Sequence, residues 1–182
     1  MGKEQSDEQL MLDYREDDVS AFEILYKRHK GALYRYLLRQ CGNQSTAEEL
    51  YQEVWMNLIN ARQRYAVKAK FTTYLFQMAH NRLIDHYRRQ KPANPGTSET
   101  PVDGLPARQQ EQPEQQALLH EQTDKIVAMV ETLPPEQREA FLLKEEAGRS
   151  IQEIAEITGV NTETAKSRLR YAVHKLRQAL SE

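Results

Sequence analysis

SIQEIAEITGVNTETAKSRLRYAVHKLRQAL, residues 150–180, sets two helices around one tight turn. Ser150-Ile151-Gln152-Glu153 is a capping box: a serine hydroxyl can take a first-turn amide while the glutamate reaches back to the serine amide. Ile154, Ala155 and Ile157 then give a short apolar face. Gly159 ends the helix, because glycine enters the left-handed conformation without a Cβ penalty. Val160 can plug the turn, and Asn161 can cap the next helix. That helix, from about 162 to 180, turns Ala165, Leu169, Ala172, Val173 and Leu176 inward and its basic residues outward.

Two short helices joined this way, the second basic, form a helix-turn-helix pattern, whose second helix lies in the major groove. Its N-terminal residues, Thr162, Glu163, Thr164, Lys166, Ser167 and Arg168, are the candidates for base edges. Arginine pairs with guanine O6 and N7, glutamate accepts from cytosine N4, and threonine meets a thymine methyl. Arg170, Lys175 and Arg177 lie further along, where phosphates are the natural partners.

The same periodicity extends upstream. Pro134-Pro135 stops a helix carrying Ile126, Met129, Val130 and Leu133 and starts one carrying Ala140, Phe141 and Leu143. In the first half, Val19, Phe22, Leu25, Tyr26, Leu33, Tyr36 and Leu37 read as two helices broken near Gly31. Ser45-Thr46-Ala47-Glu48 reads as a second capping box. After it, Ala47, Leu50, Tyr51, Val54, Trp55, Leu58 and Ile59 form one apolar stripe opposite Glu49, Gln52, Glu53 and Asn57. A helix over about 71–90 carries Phe71, Tyr74, Leu75, Met78 and Leu83 and ends in a basic run. Between the halves, residues 92–113 hold five of the seven prolines and no hydrophobic period, the composition of a flexible linker. As a coil it averages roughly 25 Å end to end and reaches about 70 Å when stretched. The expected fold is therefore all-α: a helical unit over 1–91, a linker over 92–113 and a second helical unit over 114–182.

A formal net charge of −2 looks wrong for a nucleic-acid binder until its distribution is counted. Residues 68–91 carry six lysines and arginines against one acid, and residues 162–180 carry five against one. Such patches on a near-neutral chain suit selective DNA binding.

At these residues the sequence resembles a known family. LPPEQREAFLLKEEAGRSIQEIAEITGVNTETAKSRLRYAVHKLRQAL, residues 133–180, resembles region 4 of sigma-70-family factors, which reads the −35 promoter element. AEELYQEVWMNLI, residues 47–59, is similar to region 2.2, the helix that binds core polymerase. FTTYLFQMAHNRLIDHYRRQ, residues 71–90, is similar to regions 2.3 and 2.4, which melt and read the −10 element. No stretch resembles region 3 or the N-terminal extension of housekeeping factors, which implies the minimal extracytoplasmic-function type.

The resemblance implies partners and roles. The partners are the RNA polymerase core through its β′ subunit, promoter DNA and an anti-sigma factor, with no cofactor and no membrane insertion. The expected location is the cytoplasm, on the nucleoid when in holoenzyme. Glu49, Gln52, Glu53 and Trp55 are placed at core polymerase, although Trp55 also falls on the apolar stripe and reads as packing. For the −10 element the residues are Lys68, Lys70, Tyr74, Asn81, Arg82, Arg88 and Arg89. Melting needs aromatic faces for unstacked bases beside a basic channel, and an asparagine amide both donates to and accepts from a base edge. Tyr74 stands where the family often has tryptophan, and Phe71 and Phe76 read as core.

Two other functional classes fit the sequence less well. An enzyme would need a phosphate loop, a nucleophile elbow or a His-Glu-x-x-His run, and none occurs. His80 and His86 point to different helix faces, so with Asp85 they make no metal site; Cys41 reads as a small apolar residue. A two-domain regulator that binds duplex DNA without polymerase would not need the basic, aromatic-laced 65–91 segment.

Overall fold

Every regular element is helical among the residues that the computed structural model describes, 4–91 and 114–181. The first unit comprises α1 (Asp7–Arg15), α2 (Val19–Cys41), α3 (Gln44–Ala61), a 3-10 turn (Arg62–Arg64) and α4 (Phe71–Gln90). The second comprises α5 (Glu114–Thr132), α6 (Pro135–Glu145), α7 (Ile151–Thr158) and α8 (Thr162–Ser181). The proline-rich segment 92–113 lies outside the described residues.

The second unit follows its sequence signals closely. Ser150 Oγ accepts from Glu153 N at 3.1 Å while Ser150 N donates to the Glu153 carboxylate at 2.8 Å, completing the capping box. Gly159 ends α7 at φ 70°, where a side chain would be strained. Asn161 Oδ1 accepts from Thr164 N at 2.8 Å and opens α8. Ala165, Ala172 and Leu176 are buried, while Leu169 and Val173 are half-buried.

Two expectations in the first unit are corrected. No break falls at Gly31: α2 runs through it, and the break lies between α1 and α2, where Asp17 adopts φ 71° and Asp18 Oδ1 caps α2 by accepting from Ser20 N. A helical glycine costs about 1 kcal/mol relative to alanine, but Leu25, Leu33, Tyr36 and Leu37 fall on one continuous buried stripe that outweighs it. The second correction concerns α3, which starts two residues earlier than Ser45 would place it. Gly42 closes α2 at φ 65°, and Asn43 immediately caps α3 by accepting from Thr46 N at 3.0 Å.

The two units pack against each other, and the cores are continuous. α6 lies on α2, and α7 lies on α4. Tyr36 and Phe76, both fully buried, meet edge to face at 5.4 Å. At the seam, Glu139 Oε1 accepts from the Tyr36 hydroxyl at 2.6 Å and lies 2.6 Å from His80 Nδ1. Burial pushes the Tyr36 phenol well above its ordinary pKa, with the Glu139 charge and hydrogen bond adding to it. Gln40 O, in the last turn of α2, accepts from Tyr87 Oη at 2.8 Å and Arg138 Nη1 at 3.0 Å, so both units help satisfy an end that lacks helical partners.

Candidate nucleic-acid interface

On α8 the residues expected at base edges are presented to solvent in a graded way. Thr162, Glu163 and Lys166 are exposed, whereas Thr164, Ser167 and Arg168 are half-buried. Because the inward positions alone carry the packing, the outward ones are free to select a partner. Arg170 is exposed, with its guanidinium carbon 5.4 Å from the Tyr171 ring centroid. Tyr171 is itself half in solvent and was not singled out in the sequence, where its position on a basic face gave no sign of an arginine partner.

On α4 the candidates divide. Tyr74, Gln77, Asn81 and Arg88 follow one another at three, four and seven residues, which puts them on one helix face. A cavity of about 410 Å³ opens beside the first two, lined by Arg64, Tyr65, Lys68, Tyr74, Gln77 and Glu156 among others. Tyr65 is buried, and its ring meets Tyr74 edge to face at 5.3 Å. Tyr74 also lies 6.5 Å from the buried Phe71 and is itself only half-buried. It therefore packs on one side and lines the cavity on the other. Asn81 is exposed one turn further along and does not line the cavity. Arg88 and Arg89 are exposed and Arg82 is half-buried. Arg64 and Gln77 were missed in the sequence; their spacing to Tyr65 and Tyr74 was the available signal.

Part of this face is covered by the second unit. Lys70 Nζ pairs with Glu153 Oε1 at 2.9 Å, Arg149 donates to Thr72 Oγ1, and Gln77 Nε2 lies 3.5 Å from Glu156 O. Burial pushes the Glu153 carboxyl up, but the Ser150 amide, Lys70 and Arg149 outweigh it and hold the group below its usual range. Thus Lys68 and Lys70, predicted alike, differ: Lys70 is committed to an ion pair across the seam.

On α3, Glu49 and Gln52 are exposed and Glu53 is half-buried. One Glu53 carboxylate oxygen is buried without a hydrogen-bond partner among the described residues. Trp55 is buried against Tyr26, Tyr51 and Phe22, with centroids 5.0, 6.2 and 5.9 Å away. The packing reading of Trp55 accordingly holds. Met56, more than half exposed beside Gln52 and Glu53, is a large apolar side chain left in solvent off the stripe, which the sequence reading missed. His29, which showed no partner in the sequence, lies 2.8 Å from Asp7 Oδ2. Cys41 is free, its Sγ donating to Leu37 O at 3.0 Å. Among the described residues, no cluster of His, Cys, Asp or Glu is placed to hold a metal ion.

Comparison with known proteins places both units. The family described as Sigma-70 region 2 matches residues 25–93, and Sigma-70, region 4 matches residues 123–176. The chain is 28% identical over 178 residues to RNA polymerase sigma factor CarQ of Myxococcus xanthus, covering 93% of this chain and 94% of CarQ. It is 27% identical over 180 residues to ECF RNA polymerase sigma factor SigW of Bacillus subtilis, covering 92% and 93% of the two chains. In fold it is similar to CnrH in complex with the cytosolic domain of CnrY, at a TM-score of 0.70, 19% identity and coverage of 97% and 98%. It is also similar to the sigma factor RpoE in complex with the anti-sigma factor NepR from Bartonella quintana, at 0.67, 18% identity and coverage of 88% and 96%.

Proposed function

The chain belongs to the sigma-70 family as an extracytoplasmic-function sigma factor, and from that premise we propose how its surfaces divide the work of promoter recognition. It is an RNA polymerase sigma factor that directs transcription initiation; the family is not a class of enzymes. The observation that carries the division of labour is the presence of two differently built basic surfaces. One is an outward row on the second helix of a helix-turn-helix; the other is the aromatic wall of Tyr65 and Tyr74 beside an exposed helix face, a cavity that Glu156 of α7 lines on one side while the units are packed together. The first suits duplex DNA read in the major groove, the second unstacked bases.

In this reading, Lys166 and Arg168, with Thr162, Glu163, Thr164 and Ser167 around them, read the −35 element, and Arg170 holds phosphate. Tyr74, Lys68 and Asn81 serve the −10 bases, while Arg82, Arg88 and Arg89 hold the backbone. Glu49, Gln52 and Glu53 face the β′ subunit of core polymerase, with Trp55 packed behind them. Residues 1–91, 92–113 and 114–182 are the two reading domains and their tether. No helix among the described residues is long and apolar enough to cross a membrane. An anti-sigma partner is proposed by likeness to the two structural neighbours, one named as a complex with the cytosolic domain of CnrY and the other as a complex with the anti-sigma factor NepR.

The closed packing has a mechanical consequence. Reading two elements one to two helical turns apart requires surfaces about 35–70 Å apart, yet α7 rests on α4 through Lys70–Glu153. The units must separate, and core polymerase supplies the force by binding each. A duplex-only regulator would have no use for the α4 cavity. The reading is tested on Asn81→Ala in holoenzyme. Discrimination at one −10 position should fall by about fivefold or more, the weight of one base contact, with −35 preference intact. An unchanged −10 profile would remove Asn81 from base reading.

A further inference from the structure

One wall of the α4 cavity comes from Arg64, Tyr65, Ala66, Lys68 and Ala69, within the segment 62–70, RQRYAVKAK, of which only Arg62–Arg64 form regular structure; α4 supplies the opposite wall and Glu156 of α7 a third side. A segment with so few backbone hydrogen bonds of its own needs support from elsewhere, and α1 with the turn that follows it supplies support at Arg62, Gln63 and Tyr65 and, past the segment, at Phe71. At the start, Arg62 Nη2 meets Asp17 Oδ1 at 3.0 Å, and the Arg62 guanidinium lies over the Tyr14 ring at 5.3 Å. In the middle, Gln63 Nε2 donates to Arg15 O at 3.0 Å, and Arg15 Nη1 donates to Tyr65 O at 3.1 Å. At the end, Glu8 Oε1 accepts from Phe71 N at 2.7 Å.

The last contact is the most informative. Phe71 N is a first-turn amide, one of the donors a helix cannot satisfy itself. Lys70, at the cap position, provides no side-chain acceptor. A glutamate 63 residues away does so instead, placing its charge at the positive end of the α4 dipole. α1 is in turn fixed by Leu10, Met11 and Tyr14, all buried, so the polar contacts on its other side are held by a rigid element. What they hold is Tyr65, whose buried hydroxyl has no hydrogen-bond partner among the described residues and whose ring sets the position of Tyr74. Burial, then the charge of Glu8, push the Tyr65 phenol up to about 12, so it stays neutral and donor-competent.

We propose that α1 is a brace for base selection, with Glu8 and Arg15 as positioning residues that fix the cavity wall and thereby the −10 preference of the holoenzyme. This rests on the reading that the cavity takes an unstacked −10 base. Neither residue touches DNA in this scheme; both act through Tyr65 and the first turn of α4.

The experiment uses full-length variants assembled with core polymerase on a promoter chosen by the wild-type holoenzyme from a library, with its −10 bases then randomised. Glu8→Ala and Arg15→Ala should each flatten preference at one or two −10 positions by about five- to tenfold, within the range of a base mismatch. Preference at −35 and affinity for core should stay at the wild-type level. Glu8→Gln, which keeps an oxygen for Phe71 N, should restore most of the preference. An unchanged −10 profile in both alanine variants overturns the brace, and so does a parallel fall in −10 preference, −35 preference and core binding. Tyr74→Ala separates this from the underlying reading. If Tyr74→Ala flattens the profile and the α1 variants do not, the brace alone is wrong. If Tyr74→Ala also leaves it unchanged, the cavity is not the base site.

Discussion

A holoenzyme carrying Lys166→Ala together with Arg168→Ala is expected to lose about thirtyfold of its −35-dependent initiation. Each side chain that makes a good contact to a base edge contributes about 1–3 kcal/mol of discrimination, and two at the lower end already give that factor. The loss should be clean, because Ala165, Ala172 and Leu176 carry the packing of α8 and none is altered. Capping by Asn161 also remains. Run-off transcription from matched and scrambled −35 promoters measures the difference. Activity on the matched promoter should fall to that on the scrambled one, while discrimination at −10 is retained. Equal loss on both promoters would mean that these residues bind DNA without reading it.

Glu139→Ala should destabilise the free protein by about 2–4 kcal/mol. The carboxylate is 6% exposed and serves both Tyr36 Oη and His80 Nδ1; its removal strands a buried hydroxyl and a half-buried ring nitrogen, at about 1–3 kcal/mol for each group left unsatisfied. Tyr36→Phe keeps the His80 contact and should cost less than half as much. The split between stability and activity is the distinctive part. Glu139 joins the two units only while they are closed, so initiation at saturating core should be unchanged. Denaturant melts give the first quantity and run-off transcription the second. Wild-type stability in Glu139→Ala would remove the seam as a source of stability.

How legible this molecule was depends on the distance over which each feature acts. Residues 150–181 were readable in nearly every detail, since capping box, glycine stop and asparagine cap are all settled within four residues. The α2–α3 junction was less so: Asn43 and Ser45 are both competent caps, and the choice fell to Asn43 because Gly42 ends α2 directly before it. Gly31 misled because a local helix penalty was set against a stripe whose full burial the sequence does not show. The seam was invisible, because an acid such as Glu139 on a helix face ordinarily faces water. The contacts of α1 and of the turn after it were hidden for a related reason, joining residues 45 to 63 apart with no shared motif. Of the candidate site, α8 was found as a surface, but the α4 face was found without its cavity, and Lys70 without its partner.

The most direct test is the affinity of the purified chain for its promoter duplex, measured with and without core polymerase at fixed salt. The two basic patches are each small, and one is partly covered by α7. Binding of the chain alone should therefore stay near the non-specific range of about 10⁻⁴–10⁻⁶ M. Addition of core should bring it to about 10⁻⁸ M or tighter and start transcription. Specific nanomolar binding to the duplex by the chain alone, unchanged by core, would contradict the account.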